Sequence, residues 1–301
     1  MKHLMIISAV SAVVLFCGCG GAPKPAQTTS TSTLPPTTPP TTPTTASPYT
    51  AQNWQFSATS STPGARPFSI AGDIVMAPGM TPSGTVHIDN PTCFDPLISR
   101  SLAGTLSSDT TSLVVTGSDG QVVTLSGSFA NLTYNVMVNG TIFTTFTGTY
   151  KVDGGCAAGD HGIVTGAYVY SIGPEYDPFP WSGTFTNSST QQMLHATGTI
   201  VESTNADAAG SFGIGGGVKF DNACLSAVTM KTGMYPSASF ILGKSVTIEF
   251  DTSSGILNFV GTLDQDTNEI SGNYSITGSS CDQNGSAVIS IATGCPGCWD
   301  Y

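Results

Sequence analysis

The sequence predicts an all-β protein: a tandem duplication of an antiparallel meander barrel or sandwich, preceded by a disordered N-terminal stalk. Three observations predict this fold class. Apolar and polar residues alternate in many short segments, as they do in half-buried strands. Turn-forming residues separate these segments at intervals of about ten residues. A series of landmarks occurs twice in the same order, which indicates an internal repeat.

Composition limits the functions that this chain can have. Charged residues make up 9% of the 301 residues, and the formal net charge is −11. The Lys and Arg residues are spread thinly along the chain, so no basic stripe is present to neutralise phosphates. The sequence therefore predicts no nucleic-acid partner. Because an anionic lipid surface would repel the acidic body, contact with a membrane has to come from the N-terminus.

The N-terminus carries the features of an export signal. Segment 4–16 is apolar and uncharged, and its length suits a signal peptide but is too short to span a bilayer. The motif Phe16-Cys17-Gly18-Cys19 that follows resembles the bacterial lipobox. The resemblance implies that residues 1–18 are a cleaved signal peptide and that Cys19 is lipidated. Two or three acyl chains hold a protein stably on a membrane.

The residues next to Cys19 indicate how the signal peptide is cleaved and to which membrane the protein is delivered. Phe16 and Cys17 stand where the lipobox usually has Leu and then Ala or Ser. The alternative is an ordinary secretory signal that is cleaved nearby. Gly20 follows Cys19 and does not resemble the Asp of an inner-membrane retention signal. We therefore expect an exported, lipid-anchored protein of the cell envelope, with the outer membrane or cell surface favoured.

Residues 19–52 are predicted to be the lipidated Cys19 followed by a disordered linker. Segment 22–47 is rich in Pro and Thr and has no apolar periodicity. In a polyproline II conformation such a segment would extend to roughly 80 Å. It would hold the folded body away from the membrane surface.

Two copies of one unit, 53–170 and 171–301, make up the body. Each copy starts with a Trp, which is followed by a strand-like segment. A second strand-like segment then ends at a Cys. Each copy closes with a Gly-x-Tyr strand and another Cys. The paired landmarks are Trp54 and Trp181, segments 70–75 and 196–201, Cys93 and Cys224, Tyr150 and Tyr274, and Cys156 and Cys281.

The Trp-first, Gly-x-Tyr meander resembles the small up-and-down barrels of the avidin and lipocalin kind. It is also similar to uncharacterised secreted bacterial lipoproteins that share an Asn-Trp-Gln-Phe start, here at 53–56, and a Gly-x-Tyr…Cys…Gly ending. The second resemblance spans most of the body and implies no known activity. The regular spacing of short strands and turns favours a barrel or a sandwich in each copy.

The cysteines are predicted to be oxidised, because export permits disulfides. Six cysteines allow fifteen pairings, and the matched positions in the repeat select Cys93 with Cys156 and Cys224 with Cys281. In the C-terminal tail, Cys295 and Cys298 enclose a Pro-Gly turn dipeptide. A local structural disulfide is expected there, with redox or metal chemistry as the alternative.

Candidate catalytic groups are few. Asp160 and His161 lie in a Gly-rich loop and would suit a general-base pair or half of a metal site, but the second copy lacks the His and such loops commonly serve turn geometry. Segment 264–269 resembles the first half of an EF-hand loop without its Gly and its final Glu, so it is interpreted as a polar hairpin turn. His87 and His195 are interpreted as ordinary sheet residues. The sequence predicts no catalytic residue, cofactor or metal site.

The stretch between the two copies is the most distinctive binding candidate. It places two carboxylates beside three aromatic side chains, namely Glu175, Tyr176, Asp177, Phe179 and Trp181. Aromatic faces can stack on sugar rings, so these residues would form a ledge for a glycan. The alternative is a rigid, Pro-locked linker whose aromatic side chains plug the barrel ends.

The predicted function is a non-catalytic module, anchored through lipid to the envelope, that binds a small molecule, a glycan or a protein. The alternatives are a secreted hydrolase that uses Asp160 and His161 or the carboxylates of Glu175 and Asp177, and a structural spacer of the envelope. The barrel interiors discriminate among them. A polar cavity favours binding, a filled core favours the spacer, and a cleft that joins two carboxylates favours the enzyme.

Overall fold

The computed structural model describes residues 52–292 except 91, 108–109, 136–139, 174–176, 226–227, 234, 254 and 279–282. Within this range the chain forms two closed antiparallel barrels in tandem, each with a ring of eight strands. The all-β prediction is confirmed, and each copy is a barrel rather than a sandwich. Closure gives every strand of a ring two neighbours, so the backbone hydrogen-bonding groups of the ring are paired with one another.

The first barrel is a simple meander. Each strand pairs with the next, and the first pairs with the eighth to close the ring. Residues alternate in burial along the strands, so that Leu113 and Val115 are buried while Ser112 and Val114 are partly exposed. The strands are β1 (Asn53–Ser60), β2 (Phe68–Val75), β3 (Ser83–Asp89), β4 (Arg100–Leu106), β5 (Thr111–Thr116), β6 (Val122–Asn135), β7 (Gly140–Asp153) and β8 (His161–Tyr168).

The second barrel repeats the meander with an insertion between its third and fourth ring strands. The ring strands are β9 (Phe179–Asn187), β10 (Met193–Ala206), β11 (Phe212–Gly215), β14 (Phe240–Leu242), β15 (Ser245–Thr252), β16 (Gly255–Asp264), β17 (Glu269–Thr277) and β18 (Gln283–Ile291). The insertion contains β12 (Val218–Phe220), a 3-10 helix (Ala223–Leu225) and β13 (Thr229–Met230). Strand β12 pairs with β10, and β13 pairs with β15.

Strand register makes the two barrels equivalent at one rim, where β1 and β8 meet in the first and β9 and β18 meet in the second. In the first copy, Ser60 at the end of β1 and Tyr150 both pair with Gly162. In the second copy, Asn187 at the end of β9 and Tyr274 both pair with Gly285. The duplication predicted from the sequence is thus visible in the pairing of strands. The equivalent positions are Ser60 and Asn187, Tyr150 and Tyr274, Asp160 and Gln283, and Gly162 and Gly285.

Both barrel interiors are filled with apolar and aromatic side chains. In the first barrel the ring of Phe56 lies 5.8 Å from that of Trp54 and 5.6 Å from that of Phe146. In the second, the rings of Phe185 and Tyr274 meet edge to face at 5.3 Å. Burial of such side chains is the main stabilising term, at roughly 25 cal/mol per Å² of apolar surface. Since these interiors are packed cores, the recesses open to a ligand lie at the rims and between the barrels.

The two barrels are joined by directed hydrogen bonds and belong to one compact unit. Asn53 Nδ2 donates to the carbonyl oxygen of Gly243 at 2.9 Å, and the Gly243 N–H donates to Asn53 Oδ1 at 2.7 Å. Gly210 lies in the turn between β10 and β11 with φ +85°, and a Cβ there would lie 2.3 Å from the Thr85 carbonyl oxygen of the first barrel. Only glycine therefore fits at this point of close approach.

Candidate functional site

A recess of about 410 Å³ opens at the rim of the first barrel. It lies where the β1–β2, β3–β4 and β7–β8 loops converge. Phe94 and Ala157 contribute apolar lining, while Arg66, Asn90 and Asp160 contribute polar groups. We call this site the first-barrel recess. A concave, partly apolar surface with a few polar groups is the usual form of a small-molecule site.

A disulfide ties two of the three loops together. Cys93 and Cys156 are bonded, with their Cα atoms 5.6 Å apart, and both line the recess. This confirms one of the pairings predicted from the repeat. The covalent link restricts the loops that form the recess and thereby preserves its shape. The predicted pair of Cys224 and Cys281 and the motif of Cys295 and Cys298 fall outside the described side chains, so they stay predictions.

A buried ion pair supports the same rim. Arg100 is 1% exposed and pairs with Asp119, which also accepts a hydrogen bond from Gln121 Nε2 at 3.1 Å. Gln121 Nε2 also donates to the carbonyl oxygen of Cys93 at 3.0 Å. Burial acts to raise the pKa of Asp119, but the hydrogen bonds from Gln121 and the charge of Arg100 outweigh it and hold that pKa below its ordinary value. The network connects the β5–β6 turn to the disulfide.

Asp160 and His161, the candidate general-base pair of the alternative hydrolase hypothesis, each contact other groups. The two carboxylate oxygens of Asp160 accept hydrogen bonds from the hydroxyls of Ser60 and Tyr150. Burial acts to raise the pKa of Asp160, but these hydroxyls outweigh it and the pKa lies below its ordinary value. His161 Nδ1 lies 3.1 Å from the carbonyl oxygen of Gly159. Asp160 is thus an ionised acceptor that fixes the rim.

The equivalent rim of the second barrel holds a polar cleft of about 460 Å³, which we call the second-barrel cleft. Its lining consists of amides, hydroxyls and a glycine and carries no charged side chain, the amides being those of Asn187, Gln191, Asn273 and Asn284. Asn187 Nδ2 donates to Gln283 Oε1 at 2.7 Å. This hydrogen bond occupies the position of the Ser60–Asp160 hydrogen bond in the first copy. The carboxamide of Gln283 thus replaces the carboxylate of Asp160.

The two equivalent tyrosines differ in their hydrogen bonding. Tyr150 Oη donates to Asp160 Oδ2 at 3.0 Å. Tyr274 is 3% exposed and lines the second-barrel cleft, and its buried hydroxyl has no hydrogen-bond partner among the described residues. Burial raises the pKa of Tyr274. A buried hydroxyl without a partner costs free energy relative to the same group in water.

The proposed aromatic ledge is only partly within the described structure. Trp181 is buried in the core of the second barrel, and Phe179 packs against the same core. Both therefore contribute to packing, as the alternative interpretation of this stretch expects. Asp177 is described, whereas Glu175 and Tyr176 lie outside the described residues.

A third recess, of about 350 Å³, lies between the barrels and includes His87 in its lining. His87 is buried, with Nδ1 2.9 Å from the Pro96 carbonyl oxygen and Nε2 2.7 Å from the Ala209 carbonyl oxygen. Pro96 belongs to the first barrel and Ala209 to the second. The Nδ1 contact therefore stays within the first barrel, and the Nε2 contact links the two barrels.

Sequence reasoning missed Glu202, which is 4% exposed. It follows Leu194, Ala196 and Ile200 on the buried side of β10, so the period of two along the strand could have revealed it. The Ile172 N–H donates to Glu202 Oε2 at 2.9 Å. Burial outweighs this hydrogen bond and raises the pKa of Glu202 to about 7. Shifted carboxylates of this kind also occur at functional sites.

Segment 264–269 is a hairpin turn between β16 and β17, as the sequence predicts. Asp264 and Glu269 pair across it, and the N–H of Asp266 donates to Asp264 Oδ1 at 2.9 Å.

Over the described ranges, no three His, Cys, Asp or Glu side chains are grouped so that they could hold a metal ion. Within the same ranges, no helix has the length and apolar character needed to cross a membrane.

No protein-family model and no curated protein matches the chain. Among solved structures, a candidate AttH from Nitrosomonas europaea aligns with 86% of this chain and 99% of its own, at 10% identity and a TM-score of 0.20. A porin-like protein from Bacteroides uniformis aligns with 80% of this chain and 96% of its own, at 10% identity and a TM-score of 0.13. Similarities this weak do not bear on the function of the chain.

Proposed function

We propose that this chain is a non-catalytic binding protein of the cell envelope and that the first-barrel recess takes a small organic ligand. The observation that supports the proposal is a partly apolar recess whose loops are tied by a disulfide at the end of a filled barrel. Loops restrained before binding lose less conformational freedom when a ligand binds. Arg66 and Asn90 would orient the polar part of the ligand, and Phe94 would contact its apolar part.

Binding is favoured over hydrolysis by the state of the acidic and basic groups. A general base is most effective when its pKa lies near the working pH. At the first rim, Asp160 accepts hydrogen bonds from Ser60 and Tyr150 and its pKa lies below its ordinary value, which makes it a weak base. At the junction, both nitrogens of His87 face carbonyl oxygens. Binding is also favoured over a purely structural spacer, because a spacer has no need of a restrained recess.

Filling the first-barrel recess is expected to abolish ligand binding. Ala158 is an exposed lining residue, so Ala158→Trp would place an indole in the recess without disturbing the core. Ligand-observed NMR of the purified protein against a library of small organic fragments measures binding. We expect fragments that bind wild type and Ala158→Ser equally to lose binding to Ala158→Trp. Fragments that bind all three proteins equally, or a library without any hit, would contradict the proposal.

We infer that the body is attached to the membrane through Cys19, because Gly18-Cys19 matches the cleavage site of a lipobox. In a bacterial host that processes lipoproteins, Cys19→Ala is expected to move the protein from the membrane fraction to the soluble fraction, since the acyl chains supply the membrane affinity. Cys17→Ala is the matched control and should leave the protein in the membrane fraction. Membrane association that survives Cys19→Ala would refute the anchor.

A further inference from the structure

The recess between the two barrels brings together an anion from one barrel and a cation from the other. We call it the inter-barrel recess. It has a volume of about 350 Å³, and its lining includes Asp89 of the first barrel and Lys244 of the second. Asp89 is exposed and Lys244 is partly exposed, and neither forms an ion pair with the described residues. Both charges can therefore pair with a ligand.

Strand pairing shows that the first-barrel residues of the recess share the outer face of the wall. Gln55, Ala71 and His87 are direct neighbours across β1, β2 and β3. Ser69 and Asp89 form the next row. Core residues alternate with these five along each strand, so the five side chains point away from the first core and form the floor of the recess. With strands about 4.8 Å apart, this floor is about 10 Å across.

The cation and the anion lie at opposite ends of this floor. The Lys244 N–H donates to Gln55 Oε1 at 2.7 Å, which fixes the backbone of Lys244 over β1. Asp89 lies on β3, two strands away. Tyr235 lies beside Asp89, because its ring is 4.5 Å from that of His87 on the same strand. Burial raises the pKa of Tyr235, and the charge of Asp89 raises it further. The recess thus has a positive end, a negative end and an aromatic wall.

We propose that the inter-barrel recess binds a short peptide with free termini, whose ammonium group pairs with Asp89 and whose carboxylate pairs with Lys244. Two or three extended residues span about 7 to 10 Å, which matches the width of the floor. Charge-assisted hydrogen bonds at both ends are stronger than neutral ones, and a ligand with a single charge forms only one of them. The site is separate from the first-barrel recess, since the two share no lining residue.

The polar groups around the floor suit a peptide backbone. The hydroxyls of Ser69, Ser245 and Thr262 line the recess and have no hydrogen-bond partner within the part of the chain that the structure describes. They can therefore exchange water for the N–H and C=O groups of a peptide, since a hydroxyl both donates and accepts. Ala71 and Leu242 add apolar surface to the same lining, which peptide side chains can contact.

The test is a titration of the purified, ¹⁵N-labelled protein with the tripeptide Ala-Phe-Ala, its N-acetyl derivative and its C-terminal amide. Ala-Phe-Ala is expected to shift the backbone amide resonances of Gln55, His87 and Lys244. Each derivative lacks one terminal charge and is expected to bind about fivefold more weakly, the loss of one partly exposed charge pair.

Two variants assign the ends of the peptide. Lys244→Gln is expected to weaken binding of Ala-Phe-Ala about fivefold and to leave binding of the C-terminal amide unchanged, because the amide has no carboxylate to pair. Asp89→Asn is expected to weaken binding of Ala-Phe-Ala by as much and to leave binding of the N-acetyl derivative unchanged. Lys151→Gln and Asp153→Asn, at an exposed pair outside the recess, are the matched controls and should leave binding of all three peptides unchanged.

Absence of shifts with Ala-Phe-Ala, shifts confined to other surfaces, or equal affinity of the wild type for the three peptides would each overturn the proposal. Equal weakening of Ala-Phe-Ala and its amide by Lys244→Gln would overturn it as well, since the lysine would then not pair with the carboxylate. Ala158→Trp fills the first-barrel recess and should leave tripeptide binding unchanged. Loss of tripeptide binding in that variant would place the peptide in the first-barrel recess instead, so the two sites are tested separately.

Discussion

Asp119→Ala is expected to lower the free energy of unfolding by about 3 to 5 kcal/mol, because it leaves a buried cation without its partner. The side chain of Arg100 is 1% exposed and that of Asp119 is 18% exposed, so Asp119→Ala leaves the charge of Arg100 without its carboxylate at a site that water scarcely reaches in the folded protein. The substitution also removes the acceptor for Gln121. Urea denaturation of the variant and the wild type measures the difference.

The control for Asp119→Ala is an exposed pair in the same barrel. Lys151 and Asp153 are 62% and 61% exposed, and Asp153→Ala should therefore change stability by no more than about 1 kcal/mol. The double variant of Arg100→Met and Asp119→Ala should regain most of the loss, because it removes the unpaired charge as well. A double variant as unstable as Asp119→Ala alone would show that packing at residue 119, and not charge, accounts for the loss.

The architecture could be predicted from sequence because it rests on local patterns. Alternating residues such as those of segment 121–126 define strands, and the duplicated landmarks define two equivalent units. The pairing of Cys93 with Cys156 followed from the same repeat. Whether each meander closes as a barrel depends on the pairing of distant strands, β1 with β8 and β9 with β18, and local alternation does not report such pairings.

The binding candidates could be predicted less well, because they depend on which loops and strands meet. The first-barrel recess combines three loops that are far apart in sequence. Asp160 was singled out from sequence, but its partners Ser60 and Tyr150 lie on other strands and convert it from a candidate base into a structural acceptor. The difference between Tyr150 and Tyr274 is equally invisible in sequence, since both stand in a Gly-x-Tyr strand and only the rim partner differs.

Glu202→Gln is expected to stabilise the protein at pH 8 by up to about 3 kcal/mol, the opposite of the effect at Asp119. Glu202 is buried, and among the described residues no Lys, Arg or His forms an ion pair with it. Burial raises its pKa from 4.5 to about 7, and a shift of that size corresponds to about 3 kcal/mol. Glutamine keeps an oxygen that can accept from the Ile172 N–H, and it carries no charge to be buried.

The gain should depend on pH in a defined direction. Between about pH 4.5 and 7 the folded wild-type protein holds a proton on Glu202 that the unfolded chain releases, so its stability falls as pH rises through this window. The advantage of Glu202→Gln should accordingly be absent at pH 4, grow across the window and level off above pH 7. Urea denaturation at a series of pH values measures it, with Asp153→Asn at the exposed pair as a control that should show no such growth. A difference between Glu202→Gln and wild type that stays constant across the series would mean that this carboxylate titrates normally in the folded protein.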